Sequence, residues 1–241
     1  MGSQLRRVTR DEIAELDRVM IEEFGIDLLM MMENAGRALA SVAKKMLGGR
    51  VLNRNITVLV GKGNNGGGGL VAARHLHNWG ASVKVVIASP RSELHAAPIK
   101  QLQILEKSGI AVIDQVVELS EADLIIDSLL GYNSKGKPRE PYASLISAAN
   151  RSGRPILALD LPSGLDPDTG KPNEPCIVAT STVALALPKN GAITADGRPF
   201  VGMLYLADIS VPRALYERFG VKEPVFKDDF IIIIDNSTKQ H

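Results

Sequence analysis

The chain has 241 residues, 45% hydrophobic and 23% charged, which is typical of a globular protein with a sizeable core. Its 28 Lys and Arg nearly balance its 27 Asp and Glu, which argues against the basic surface of a nucleic-acid-binding or membrane-surface protein. No apolar run is long enough to span a membrane, and no membrane or nucleic-acid partner is expected. Cys176 is the only cysteine, so an internal disulfide is excluded and a reducing, cytoplasmic location is expected.

The first fifty residues predict two helices. Residues 9–12 read Thr-Arg-Asp-Glu, a helix-start pattern, and apolar residues follow at helical spacing as far as Phe24. Gly25 ends this helix, and a second one is expected over residues 28–47, before a pair of glycines.

From residue 55 onward, strands and helices alternate. Strands are predicted at residues 56–60, 83–88, 110–113, 124–127, 156–160, 183–187 and 203–207, with helices at 70–79, 99–107 and 142–150. This alternation predicts an α/β fold: a doubly wound, mostly parallel sheet with helices on both faces, a Rossmann-like three-layer sandwich. Because no linker or repeat interrupts the pattern, residues 1–241 are expected to form a single domain.

Three chemically distinctive segments follow predicted strands. They are the glycine-rich residues 61–69, the segment that begins at Asp127, and the segment that begins at Asp160. In a doubly wound sheet, ligands bind at the carboxyl ends of the strands, where the chain direction diverges. The three segments are therefore expected to line one cleft.

The segment 61–69 contains six glycines and the pair Asn64-Asn65. This density predicts a sharply bent loop that approaches a ligand closely and cradles phosphate with backbone N–H groups at a helix start. No Gly-Lys-Ser/Thr closes the segment, so it is not a Walker loop. It matches dinucleotide-binding spacing but lacks the acidic residue expected about twenty positions later, which disfavours an ordinary dehydrogenase. The alternative is a tight strand-to-helix turn with no ligand.

The two aspartates are candidates for different tasks. Asp160 is a candidate for acid–base chemistry in the cleft, and the alternative is a strand-end cap. Residues 127–141 are basic and punctuated by glycine, which suits a loop folded over a phosphate-bearing ligand; the alternative is a solvated surface loop. Residues 166–170 are typical of a polar turn.

Together these motifs resemble the YjeF N-terminal domain family, whose members are similar to NAD(P)H-hydrate epimerases. The resemblance covers roughly residues 8–215. The motifs are Met-Glu-Asn-Ala-Gly at 32–36, Gly-Asn-Asn-Gly-Gly at 63–67, Asp127 with Gly131, Asp-Leu-Pro-Ser-Gly-Leu-Asp at 160–166 and Leu-Pro-Lys at 187–189.

The resemblance implies an isomerase of nicotinamide cofactor repair, which interconverts the R and S forms of hydrated NADH and NADPH (NADHX and NADPHX). It implies that Asp160 is the catalytic acid–base residue and contacts the substrate. A potassium ion is the implied cofactor, held by Asn65, Asp127 and Ser163. The implied substrate-binding residues are Asn64, Asn65, Gly66, Gly67, Gly68, Gly131, Tyr132, Asn133, Ser134, Lys135, Gly136 and Lys137. A dehydratase on a separate polypeptide is the expected partner.

Two departures from the family pattern leave an alternative function open, although the presence of Asp160 and the implied potassium ligands favours an enzyme. Gly68 stands where relatives usually carry an aspartate, and Tyr132-Asn133-Ser134 replaces the usual Thr-Gly-Leu. The first removes a carboxylate expected to face the ligand, and the second adds bulk near a phosphate. The alternative is a catalytically weakened nucleotide-binding or scaffold protein on the same fold.

The apolar run at residues 230–234, Phe followed by four Ile, would be an aggregation hazard if it were exposed. It is therefore expected to be buried, either as an added strand or at a subunit contact in a homodimer.

Overall fold

The computed structural model of the chain describes residues 5–113 and 118–234. Its centre is one eight-stranded sheet, in the order β3-β2-β1-β4-β5-β6-β7-β8. Every neighbouring pair is parallel except β7 with β8. The strands are β1 (Asn55–Val60), β2 (Ser82–Ile87), β3 (Ala111–Ile113), β4 (Leu124–Ser128), β5 (Ile156–Leu159), β6 (Ser181–Leu185), β7 (Met203–Ala207) and β8 (Ile231–Ile233).

The helices lie between and beside these strands. They are α1 (Arg10–Glu22), α2 (Leu28–Met46), α3 (Asn64–Asn78), α4 (Ala96–Lys107), α5 (Tyr142–Arg151), α6 (Arg198–Val201) and α7 (Arg213–Arg218). Within the described residues, no helix has the length and apolar character needed to cross a membrane.

Alternate residues of the central strands pack against helices on opposite faces. In β1, Val58 and Val60 belong to the core shared with α2, α3 and α4, whereas Leu59 belongs to the core shared with α5. This is the pattern of a parallel sheet covered on both sides, and it confirms the predicted doubly wound α/β architecture. All seven predicted strands are present, with ends shifted by at most two residues.

The prediction of a glycine-rich loop is wrong, because α3 begins at Asn64 and residues 64–69 are its first turns. A Cβ added to Gly66 would lie 1.9 Å from the carbonyl oxygen of Gly61, and one added to Gly69 would lie 1.9 Å from Ser128 Oγ. These glycines therefore allow close packing of α3 rather than backbone bending.

Helix α1 is held at the carboxyl end of the sheet. The Thr9 side chain caps its N-terminus in a capping box with Glu12. Ile13 and Leu16 on its buried face pack with α7 and with residues after β6, including Leu187. This packing places the buried face of α1 at the carboxyl end of the sheet, beside the strand-end motifs.

The C-terminal run forms β8, which adds an antiparallel strand to β7. The predicted extra strand is confirmed, but the predicted burial is only partial. Ile231 and Ile232 are half-buried, whereas Phe230 is 45% and Ile233 is 52% exposed. As the last strand of the sheet, β8 has a neighbouring strand on one side only, so its residues are less buried than the sequence predicted. The subunit contact remains a prediction, as does the single domain.

Candidate active site

The carboxyl ends of β1, β4, β5 and β6 border a cavity of about 430 Å³. It lies at the topological switch point, since the chain proceeds from β1 to β2 on one side and from β4 to β5 on the other. Side chains of α1 and α2 complete the wall, among them Ile13, Met31 and Met32. The three strand-end segments therefore meet in one cleft, as the sequence predicted.

One end of the cavity is formed by the N-terminus of α3. Gly63 is the N-cap residue, and no described side chain caps this helix. Gly63, Asn64 and Asn65 line the cavity, together with Lys62. The free N–H groups and the positive end of the helix dipole make this wall suitable for an anionic group such as a phosphate.

Asp160 occupies an unusual backbone position directly after β5. Its φ is +68°, in the left-handed region that a residue other than glycine enters at a cost of about 1–3 kcal/mol. Its N–H donates to the carbonyl oxygen of Val183, 2.7 Å away. Asp160 is 3% exposed and lines the cavity. The backbone turn thus aims a buried carboxylate at the cleft.

Lys189 is the direct partner of that carboxylate. It is 1% exposed, and its Nζ donates to Asp160 Oδ1 and, at 3.1 Å, to the carbonyl oxygen of Leu185. The same Nζ lies 5.7 Å from the ring centroid of Tyr132. A buried ammonium requires such partners, because an unpaired charge is strongly disfavoured in an apolar interior.

Asp127 and Ser163 form a second buried network beside the cavity. Asp127 Oδ1 accepts from Ser163 Oγ at 2.6 Å and from the N–H of Leu129 at 3.2 Å, and Oδ2 accepts from the N–H of Ser163 at 2.8 Å. Burial raises the pKa of the Asp127 carboxyl to about 6, although these hydrogen bonds oppose the change. The network ties the segment after β4 to the segment after β5.

Asn65 joins the same network through Leu130. Its Nδ2 donates to the carbonyl oxygen of Leu130 at 3.0 Å, and the N–H of Leu130 donates to Ser163 Oγ at 2.9 Å. The three residues predicted to hold potassium are therefore brought together, and they offer carboxylate, amide and hydroxyl oxygens. Such donors fit a hard cation. The described residues contain no cluster of three or more His, Cys, Asp or Glu that would suit zinc.

Eight of the predicted substrate-binding residues line the cavity, whereas five do not. Those that line it are Asn64, Asn65, Gly68, Gly131, Tyr132, Asn133, Ser134 and Asp160; those outside it are Gly66, Gly67, Lys135, Gly136 and Lys137. Because α3 is helical from Asn64, its first turn directs Gly66 and Gly67 into the protein: an added Cβ would clash with Gly61 and Met32, respectively. The other three are exposed and follow the cavity-lining residues 133 and 134 in the chain.

Gly68 faces a leucine as well as the cavity. A Cβ added there would lie 2.7 Å from Leu159 Cδ2, so the Leu159 side chain occupies part of the space that a larger residue at 68 would need. Leu159 directly precedes Asp160 and also lines the cavity. Leu159 therefore makes the cavity wall beside Asp160 apolar.

Asp17 is a cavity residue that sequence reasoning missed. It is half-buried on α1, and its Oδ2 accepts a hydrogen bond of 2.6 Å from the hydroxyl of Tyr132. Burial raises the pKa of the Asp17 carboxyl, whereas the Tyr132 hydrogen bond and the charge of Lys189 lower it. The helical pattern of α1 identified only its apolar residues, so no local signal marked Asp17. Lys189 lies in the Leu-Pro-Lys motif at 187–189, which by itself indicates no role for its ammonium group.

Comparisons with known proteins identify relatives of this chain. The family described as YjeF-related protein N-terminus matches residues 28–191. The chain is 38% identical over 231 residues to the NAD(P)H-hydrate epimerase of Dehalogenimonas lykanthroporepellens, covering 95% of this chain and 91% of that protein. It is 39% identical over 217 residues to the bifunctional NAD(P)H-hydrate repair enzyme Nnr of Moorella thermoacetica, covering 86% of this chain but only 41% of that enzyme.

A solved structure shares the architecture. The crystal structure of the yeast protein YNL200c superposes with a TM-score of 0.84 at 26% sequence identity, covering 95% of this chain and 100% of the yeast chain.

Proposed function

This chain belongs to the family of YjeF-related protein N-terminal domains, and we propose that it is an NAD(P)H-hydrate epimerase. Its substrates would be the R and S forms of NADHX and NADPHX. The observation that carries the proposal is the placement of Asp160: a buried carboxylate in a strained turn, facing a cavity that also contains the N-terminus of α3. That combination offers a proton-transfer group and an anion-binding wall in one site.

The reaction needs proton transfer at one oxygen. A proton reaches the hydroxyl on ring carbon six, the carbon–oxygen bond breaks, and water leaves while the ring nitrogen lone pair forms a double bond to that carbon. Water then adds to the resulting planar cation from either face and returns a proton to a carboxylate. Asp160 takes part in this proton exchange, and Lys189 holds its carboxylate in position.

The remaining predicted residues are assigned to substrate binding. The backbone N–H groups at the start of α3 would bind a phosphate of the dinucleotide, and residues 131–134 would cover it. Lys135 and Lys137, which are exposed outside the cavity, would contact the part of the dinucleotide that extends beyond it.

A potassium ion is proposed beside this site, with oxygen ligands from Asn65, Asp127 and Ser163. It would supply positive charge that balances the buried Asp127 carboxylate. The residues themselves already link the start of α3 to the segments after β4 and β5.

The cellular setting follows from the proposed reaction. A separate dehydratase would consume one epimer, in a reducing cytoplasm where Cys176 stays a thiol. A homodimer is also proposed, since β8 leaves Phe230 and Ile233 exposed at the sheet edge.

The test is direct measurement of epimer interconversion. A single separated epimer of NADHX is incubated in potassium buffer with wild type, Asp160→Asn or Asp196→Asn, and both epimers are followed by chromatography. Wild type and Asp196→Asn, whose side chain is exposed, should accelerate interconversion, and Asp160→Asn should lose about 10²–10⁴-fold in rate. A wild type no faster than buffer would refute the proposal, and tight binding of NADHX without turnover would favour the weakened binding protein.

A further inference from the structure

The cavity contains a second carboxyl group, that of Asp17, which approaches from a different part of the fold. Asp160 follows β5, whereas Asp17 lies on α1, outside the residues that match the family. The 2.6 Å hydrogen bond from Tyr132 fixes the Asp17 carboxyl in the cavity wall. The site therefore resembles acid–base centres in which two carboxyl groups lie in different surroundings.

Lys189 connects the two carboxyls. Its Nζ pairs with Asp160 and lies 5.7 Å from the centroid of the Tyr132 ring, whose hydroxyl holds Asp17. The charges of Lys189 and Asp160 both influence the pKa of Asp17, in opposite directions. Asp17, Tyr132, Lys189 and Asp160 thus form one cluster, assembled from four separate segments.

We propose that Asp17 is a second catalytic acid–base residue of this site and that Tyr132 is its positioning residue. The inference rests on the proposed epimerase function. Epimerisation through a planar cation requires the oxygen to leave one face of the ring and return to the other. A single fixed carboxylate serves one face best, and a second carboxyl from another wall would serve the opposite face.

The two carboxyls can alternate as proton donor and proton acceptor, so that each turnover gives one proton and takes one back. Burial favours the protonated form of Asp17 by raising its pKa, whereas Asp160 is paired with an ammonium. In one direction, Asp17 gives its proton to the departing hydroxyl, water leaves, and Asp160 accepts a proton from the water that adds. The reverse reaction restores both groups. Tyr132 and Lys189 favour the ionised form of Asp17, whereas Asp160 and burial favour the neutral form.

This assignment gives a physical meaning to one departure from the family pattern. Tyr132 belongs to the Tyr132-Asn133-Ser134 departure from the expected family motif, and its hydroxyl donates a hydrogen bond to Asp17 on α1. The Tyr132 side chain, whose bulk was expected to weaken activity, instead orients Asp17.

The test compares pH profiles of epimerisation. Asp17→Asn preserves size and can still accept the Tyr132 hydrogen bond. We expect its kcat to fall about 10²-fold, with little change in KM and with loss of the decline in wild-type kcat at high pH that ionisation of Asp17 would cause. The control is Asp11→Asn, the same substitution at an exposed position of α1, which should keep the wild-type rate and profile. Circular dichroism checks that each variant is folded.

Tyr132→Phe gives an independent readout that a merely structural role would not produce. It keeps the ring beneath Lys189 but removes the hydrogen bond that lowers the Asp17 pKa, so the alkaline limb should move to higher pH. An active wild type whose rate and alkaline limb are unchanged in both Asp17→Asn and Tyr132→Phe would overturn this inference alone. A wild type without epimerase activity would overturn the proposed function and the inference with it.

Discussion

Lys189 and Asp160 form an ion pair that is almost completely removed from solvent, with 1% and 3% of their surfaces exposed. Lys189→Met would leave the Asp160 carboxylate without its partner, and we expect the free energy of unfolding to fall by about 3–5 kcal/mol. Adding Asp160→Asn should recover part of this loss, because the unpaired charge is then removed as well. Urea denaturation measures both effects. As a control, Lys171→Met, at an exposed position, should change the free energy of unfolding by less than about 0.5 kcal/mol. If the effects of Lys189→Met and Asp160→Asn simply add in the double variant, the two residues are not coupled.

Gly66 and Gly68 should differ sharply when replaced by alanine. At Gly66 the new Cβ would meet the backbone carbonyl of Gly61 at 1.9 Å, which cannot move without disturbing β1 and α3. At Gly68 it would meet the end of the flexible Leu159 side chain at 2.7 Å, and alanine also gains about 1 kcal/mol of helix propensity. Gly66→Ala is therefore expected to lower the melting temperature much more than Gly68→Ala. Equal losses would contradict this reasoning.

Potassium should stabilise the folded protein if Asn65, Asp127 and Ser163 hold it. At a concentration 100 times its dissociation constant, a bound ion contributes about 2.7 kcal/mol, so the melting temperature at pH 8 should be higher in KCl than in choline chloride of equal ionic strength. Asp127→Asn should abolish this difference, and Asp196→Asn should retain it. Identical wild-type melting temperatures in the two salts would count against the potassium site.

The buried carboxyl of Asp127 predicts a pH dependence of stability in potassium-free buffer. Its pKa is raised from 3.8 to about 6 in the folded protein, so the folded state binds more protons than the unfolded state between these values. Stability should therefore fall as pH rises from about 4 to about 7, by up to about 3 kcal/mol from this group alone. The loss should be measurable as a difference between wild type and Asp127→Asn in urea titrations. If the stability of wild type and of Asp127→Asn depends on pH in the same way, a contribution from the Asp127 carboxyl is excluded.

Ile232 and Ile233 should contribute unequally to stability. Ile232 is half-buried against a core cluster that includes Leu204 and Leu206, whereas Ile233 is 52% exposed. Ile232→Ala should lower the free energy of unfolding by about 1–2 kcal/mol, and Ile233→Ala by much less, because only the first removes apolar surface from the core. Chemical denaturation distinguishes the two. A larger loss for Ile233→Ala in a dimeric sample would instead indicate that β8 lies at a subunit contact.

Local patterns in the sequence were sufficient for the sheet and for two key carboxylates. Short apolar runs rich in Val, Ile and Leu located all seven predicted strands, because a buried parallel strand needs apolar residues on both faces. The sequence placed Asp127 and Asp160 near the carboxyl ends of β4 and β5 because a polar residue after an apolar run marks the end of a buried strand. The doubly wound topology then brought those strand ends together.

Tertiary structure decided the features that depend on distant residues. The glycines at 66–69 predicted a sharply bent loop, and only the proximity of Gly61, Met32 and Ser128 shows that they permit a closely packed helix.

The partners of the candidate acid–base groups were also hidden from the sequence. Asp17 lies 115 residues from Tyr132 along the chain, and Lys189 lies 29 residues from Asp160. Local periodicity reports which face of an element is buried, but it carries no information about which polar side chains meet across the fold. The sequence by itself therefore determined the scaffold and the residues at its strand ends, whereas folding determined which charged groups share the cavity.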